Sequence, residues 1–291
     1  LIRYTGITIP YQNDFMVYAL RERLGITAHI IPWNYPMQII GRSICASLAM
    51  GNACILKPSE EACLTALAFG EIAREAGLSN GALNILPGLG SEVGKAIAKH
   101  KKVNHISFTG SLRTGQKVQK FASKNVTPTT LELGGKSPQI VFSDSNLDRA
   151  ITYLVNAGIQ NSGQTCSASS RILVEKSIFK KVLKRMSDRY EQLKVGSASE
   201  DLDLGPVISK KQMDIISEYE AQAENLKLLA KGKLVKDTNP DGFYKTPKLF
   251  TTEDFKHVLA QEEIFGPIQV IIPFNDEDEA IEIANSTDYG L

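Results

Sequence analysis

The chain lacks an excess of charge of either sign: 33 basic and 32 acidic side chains among 291 residues leave a formal net charge of +1. Such a balance supplies no global pull toward nucleic acid or an anionic membrane, so neither is an expected partner. No apolar stretch approaches the roughly 20 residues that cross a bilayer. The N-terminal segment also lacks the basic start and apolar run of a secretory signal, and a soluble cytoplasmic protein is expected. Cysteine is scarce. Cys45, Cys54, Cys63 and Cys166 show no CxxC spacing, and a disulfide framework is not expected in a chain of this length. His29, His100, His105 and His257 are scattered, so no metal site is expected. A complete dinucleotide fingerprint is missing too, because Pro87-Gly88-Leu89-Gly90-Ser91-Glu92-Val93-Gly94 carries Val93 where GxGxxG has its last glycine.

What is present is an ordinary globular composition, 43% hydrophobic and 22% charged, in a length that suits one large or two average domains. Apolar residues at Met37, Ile40, Ile44 and Leu48 follow helical spacing from Pro36 to a stop at Gly51. The run Ala53-Cys54-Ile55-Leu56 reads as a buried strand, and a helix over 60–76, a strand over 83–86, and a helix over 91–99 follow. A strand over 105–109 and a helix over 111–122 extend the alternation. Strands over 139–142 and 172–175, with helices over 147–160 and 179–193, repeat it in the second half. Alternation of this kind argues for parallel sheets covered on both faces, that is, a doubly wound α/β fold. Before Pro32, segments 4–10 and 15–23 read as two extended arms around Gln12-Asn13-Asp14. The stretch 231–247 reads as a polar surface loop.

Cys45, Cys54 and Cys63 have apolar neighbours and are expected to be small buried hydrophobes. Cys166 differs: Gly163-Gln164-Thr165-Cys166-Ser167-Ala168 is polar and small. A thiolate is a strong nucleophile, and its attack on a carbonyl carbon creates an oxyanion that needs hydrogen-bond donors. Glu132, in Leu131-Glu132-Leu133-Gly134-Gly135-Lys136-Ser137-Pro138, is a candidate base.

These two motifs stand in order with Pro32-Trp33-Asn34-Tyr35-Pro36, Lys57-Pro58-Ser59-Glu60, Phe108-Thr109-Gly110-Ser111 and Glu262-Glu263-Ile264-Phe265-Gly266-Pro267. Together they strongly resemble the NAD(P)-dependent aldehyde dehydrogenase superfamily, of the hydrolytic, acid-forming type, over essentially the whole chain. The resemblance implies two doubly wound lobes, a Rossmann-like cofactor lobe and a catalytic lobe, plus a β-strand oligomerisation arm. It implies oligomerisation strands over 1–24, part of the cofactor domain over 25–134, and an incomplete catalytic domain over 135–291. Family members are longer, so a partial chain is expected, belonging to a homodimer or homotetramer.

By the same resemblance Cys166 attacks an aldehyde carbon, forming a thiohemiacetal that yields hydride to NAD(P) and leaves a thioester for water to hydrolyse. Glu132 is then the general base and Asn34 an oxyanion donor, an amide that donates without carrying charge. Lys57 and Glu60 hold the adenine ribose. Glu60 repels a 2′-phosphate and so favours NAD, although Lys57 offsets part of this and leaves NADP as a second cofactor. Gly90 lies near the adenosine half, Gly110 and Ser111 meet the pyrophosphate at a helix start, and Ile31, Trp33, Leu133, Glu263 and Phe265 face the nicotinamide end. The departure at Val93 fits the variant dinucleotide geometry of the family. Two other readings are a CoA-acylating relative, disfavoured by the presence of Glu132, and a non-catalytic dinucleotide-binding fragment. Tyr35, Met37, Gln160, Thr165 and Ser167 are mixed in polarity and favour no single aldehyde.

Overall fold

In a computed structural model that describes residues 6–236 and 238–291, the alternation of strands and helices resolves into two units, 1–133 and 134–291. The first opens on a two-stranded antiparallel hairpin, β1 (Ile7–Ile9) against β2 (Val17–Ala19). Tyr4 and Thr5, the start of the first expected arm, lie outside the described residues, as does Asp237 of the polar loop. The two arms pair with one another, Thr8 opposite Tyr18.

Five strands then form a wholly parallel sheet in the order β5-β4-β3-β6-β7. They are β3 (Ile26–Ile30), β4 (Ala53–Lys57), β5 (Leu83–Ile85), β6 (His105–Thr109) and β7 (Thr129–Glu132). Alternation along the strands assigns side chains to two cores. Ala28, Ile30, Ile106 and Phe108 pack with Ile97, Ala98, Val118 and Ala122, which come from α4 (Lys95–Ala98) and α5 (Leu112–Ala122) or their flanks. Cys54 and Leu56 pack with Ile39, Ile40, Ile44 and Ala66. The latter belong to the helical stretch of α1 (Pro36–Ile40), the wider π-type turn Gly41–Cys45 and α2 (Ala46–Ala49), and to α3 (Leu64–Glu75). Both faces are covered, as parallel strands require.

The second unit carries the order β11-β13-β14-β9-β8, parallel except for β11 against β13. Its strands are β8 (Pro138–Val141), β9 (Arg171–Glu175), β11 (Lys227–Lys231), β13 (Lys248–Thr251) and the central β14 (Ile268–Phe274), buried along its whole length. A small parallel pair, β10 (Lys194–Val195) with β12 (Lys233–Leu234), crosses the segment expected to be only loop. One core holds Ile151, Leu154 and Val155 of α6 (Leu147–Ile159) and Val182, Met186 and Tyr190 of α7 (Phe179–Tyr190) against Ile172 and Val174. The other holds Ile216 of α8 (Lys210–Ala221), Leu259 of α9 (Val258–Gln261) and Ile283 of α10 (Glu277–Ala284) against Leu173, Val270 and Ile272. The α/β fold with parallel sheets is therefore present in both units.

The cysteine expectation needs correction. Cys54 is fully buried on β4, but Cys63 is partly exposed and Cys45 is exposed. Cys45 closes the π-type turn, whose wider winding advances each residue by less than 100° and leaves Ile44 as that turn's buried side chain.

Candidate active site

In the first unit every candidate residue sits at or just after the C-terminal end of a parallel strand, where α/β sheets bind ligands. Ile31 follows β3, and its N–H donates to the carbonyl of Lys57 at the end of β4 (3.0 Å). Trp33 and Asn34, both half-buried, fill the turn between β3 and α1, which starts on Pro36. Proline there lacks only an N–H that the first helical turn leaves unpaired anyway.

Lys57 is buried, and its Nζ donates to Glu60 Oε2 at 3.0 Å. Burial draws the Glu60 carboxyl upward. Hydrogen bonds from its own N–H and that of Gly90, with the Lys57 ammonium, outweigh this and hold it below the usual carboxylate range. The structure thus brings Lys57, Glu60 and Gly90 together, although they are spread over thirty-odd positions of sequence. Their hydroxyl-accepting carboxylate, ammonium and backbone N–H fit the ribose of a dinucleotide.

At the end of β6, Gly110 lies so close to the Phe108 ring that a Cβ would stand 2.7 Å from its Cζ. Ser111 occupies the cap position of α5, but its hydroxyl donates to Thr114 Oγ1 (3.1 Å) instead of capping a backbone N–H. An 11-residue helix beginning on such a turn presents backbone N–H groups and a positive dipole end, which suits a pyrophosphate.

Glu132 ends β7 opposite Thr109, its carbonyl accepting from the Gly110 N–H at 3.0 Å. Its carboxylate is half-exposed, with Oε2 at 3.7 Å from Nη1 of Arg42. Leu133 follows, packed over Gly115. Within this unit the Glu132 carboxylate therefore faces a guanidinium. Arg42, half-exposed in the π-type turn, is a residue that sequence reasoning missed. Its one signal was a cation on the α1 stretch eight positions after Asn34.

In the second unit Cys166 lies beyond α6 on a turn with three successive left-handed residues: Asn161 (φ 51), Ser162 (φ 55) and Gly163 (φ 75). The first two cost of order 1 kcal/mol or more each. Gly163 is obligatory there, since a Cβ would lie 2.2 Å from the Gly266 carbonyl group. Side chains hold the turn: Ser162 Oγ donates to the Gly205 carbonyl (2.8 Å), and Gln164 donates to Asn161 O (2.9 Å) while accepting from Ile208 N–H (2.9 Å). Beyond the cysteine, Ser169 donates through its N–H to Ala157 O (3.1 Å) and accepts from the Gln269 amide. Cys166 itself stays partly exposed. Strain concentrated beside an accessible thiol is a feature of functional turns.

Glu263 is seated by the glycine pair of the Glu132 motif. Gly135 N–H donates to its Oε1 (3.2 Å), and a Cβ on Gly134 would fall 2.0 Å from its Oε2. Burial pushes the Glu263 carboxyl above its usual range, opposed by that bond and by Lys136. Lys136 is itself buried, and chiefly for that reason its ammonium is drawn down to about 7. Phe265 adopts a left-handed φ of 55°, with its carbonyl accepting from Gln212 (2.9 Å). Thr165, Glu263, Phe265, Gly135 and Gly163 line a single cavity. Two more residues were missed from sequence. Tyr289 accepts from Glu263 N–H (3.4 Å) and donates to Glu262 (3.1 Å), and buried Arg171 donates to the carbonyls of Lys136, Ile283 and Ala284, each at 2.8 Å.

The aldehyde dehydrogenase family model matches residues 1–291. The chain belongs to the aldehyde dehydrogenase family. It is 41% identical over 292 residues to human retinal dehydrogenase 2, covering 98% of this chain and 55% of the relative. It is 38% identical over 288 residues to hydroxyisobutyraldehyde dehydrogenase of Mycolicibacterium austroafricanum, covering 98% and 57%. A crystal structure from Burkholderia cenocepacia superposes with a TM-score of 0.97 at 49% identity, over 99% of this chain and 61% of that one. Betaine aldehyde dehydrogenase from Staphylococcus aureus, solved in complex with NAD+, gives 0.92 at 38% identity, over 98% and 58%. This aldehyde dehydrogenase chain thus spans a little over half the length of the curated relatives it matches. Among its described residues, no helix is long and apolar enough to cross a membrane.

Proposed function

We propose that the protein oxidises an aldehyde to a carboxylic acid, with NAD as acceptor and Cys166 as nucleophile. The observation that carries this reading is the Cys166 turn: a partly exposed thiol on a strained backbone braced by Ser162, Gln164 and Gln269. The Cys166 thiolate adds to the aldehyde carbon, and the resulting oxyanion is stabilised by amide donors, the Asn34 side chain among them. NAD, when bound, accepts the hydride that leaves this carbon. A thioester on Cys166 remains, and Glu132 takes a proton from water as it attacks, releasing the acid and restoring the thiol.

Lys57, Glu60 and Gly90 hold the adenosine side of the cofactor, Gly110 and Ser111 the pyrophosphate, and Glu263 and Phe265, with Ile31, Trp33 and Leu133, the nicotinamide side. Engagement of Lys57 by Glu60 favours NAD over NADP, because a 2′-phosphate would meet the carboxylate. Hydrolysis is favoured over transfer to CoA by the presence of Glu132 as a base. The domain scheme is 1–24 for assembly, 25–134 for cofactor and 135–291 for catalysis. The β1–β2 hairpin, with Ile7, Ile9, Met16 and Tyr18 exposed, supports a homodimer or homotetramer; the compartment proposed for it is the cytoplasm.

The test is Cys166→Ser. Reduced-cofactor absorbance with an aldehyde and NAD should vanish while NAD binding persists; unchanged turnover would remove the cysteine from the mechanism.

A further inference from the structure

We propose that Arg42 is a positioning residue for Glu132, an inference that rests on the reading of Glu132 as the base for thioester hydrolysis. Arg42 projects from the π-type turn Gly41–Cys45 inserted between α1 and α2. Such insertions shift the helical register and aim side chains that a regular helix would point elsewhere. Here the guanidinium bridges two strand ends. Nη2 is 3.4 Å from Thr109 Oγ1 and Nη1 is 3.7 Å from Glu132 Oε2, and Thr109 and Glu132 are register partners on β6 and β7.

Glu132 is the last residue of its strand, so its backbone is fixed by the Gly110 N–H while its side chain projects half-exposed. A glutamate in that setting has three rotatable bonds. A planar fork anchored on a neighbouring hydroxyl restricts them and keeps the carboxylate at the strand ends. Thr109, the last residue of β6, thereby contributes to holding the base. The pair is solvent-accessible, so its contribution is that of an exposed ion pair and belongs to orientation more than to stability.

The proposal separates thioester hydrolysis from the steps before it. In a single turnover with NAD and an aldehyde, the mass of the protein follows formation and decay of the Cys166 thioester. Arg42→Ala should form the thioester at the wild-type rate and lose it roughly fivefold more slowly, the scale an exposed ion pair sets. The KM values for aldehyde and NAD should be unchanged. Arg42→Lys, which keeps the charge but not the fork, should restore part of the decay rate. Wild-type decay in Arg42→Ala, or a loss confined to aldehyde KM or to thioester formation, would overturn the proposal. Glu132→Gln serves as the control for the underlying reading. If its thioester decays normally, Glu132 is not the base; if it stalls while Arg42→Ala behaves as wild type, only the role of Arg42 is lost.

Discussion

Single residues decide the chemistry, and the glutamates divide the work by their surroundings. Glu60 is held below the carboxylate range by the bonds it accepts, whereas Glu263 is pushed upward by burial. Glu60→Ala should raise the KM for NAD by roughly tenfold, the loss of one charged hydrogen-bonding partner, and narrow the preference over NADP. Parallel initial-rate series with both cofactors check this; an unchanged ratio of kcat/KM would remove Glu60 from cofactor choice. Gly134→Ala drives a methyl into Glu263, where a Cβ has 2.0 Å of space. The expected result is a NAD affinity weakened by about tenfold or more, as for any displaced binding group, with the fold intact by circular dichroism.

At the scale of elements, strand ends and turns place these residues, and a buried polar set makes one strand sensitive to acid. His29 on β3 is 4% exposed, with Nε2 at 3.0 Å from Thr27 Oγ1. Burial, and then the neighbouring His105, bring it down from 6.5 to about 4. The unfolded chain therefore takes up this proton first. Stability is complete above pH 6.5, falls as the pH drops from about 6.5 to about 4, and levels off below. The loss amounts to about 3 kcal/mol. His105 is lowered by burial as well and adds in the same direction. Urea midpoints at pH 7.5 and 5 should differ less in His29→Asn than in the wild type; equal differences would assign the acid sensitivity elsewhere. On the other turn, Gly163→Ala meets the Gly266 carbonyl group and requires a φ of 75°. A loss of roughly 2 kcal/mol or more in unfolding free energy is expected, together with slower alkylation of Cys166.

Over the whole molecule, sequence periodicity located the helices of the first unit, three of its five sheet strands (β4, β5 and β6, but not β3 or β7) and the start of the second unit. Helical spacing from Met37 to Leu48 and the apolar run at Ala53–Leu56 are local signals that the packing follows. Strand β7 escaped because Thr129-Thr130-Leu131-Glu132 is short and polar at one end, its strand character supplied by pairing to β6. The antiparallel edge β11 and the central β14 escaped for other reasons: β11 is mostly exposed and flanked by lysines, whereas the apolar run of β14 carries a strand signal that went unused. Candidate residues were legible where a motif marked them. Arg42, Arg171 and Tyr289 became visible through geometry, since each acts on a motif residue from another stretch of chain.

The central claim is that Cys166 carries the substrate carbon during NAD-dependent aldehyde oxidation. The most direct test follows reduced-cofactor absorbance on mixing the protein with NAD and a panel of aldehydes, with Cys166→Ser and NADP in parallel. Growth of absorbance with at least one aldehyde, stronger with NAD than NADP and absent in Cys166→Ser, is the predicted result. No absorbance change with any aldehyde despite measurable NAD binding, or undiminished turnover in Cys166→Ser, would contradict it.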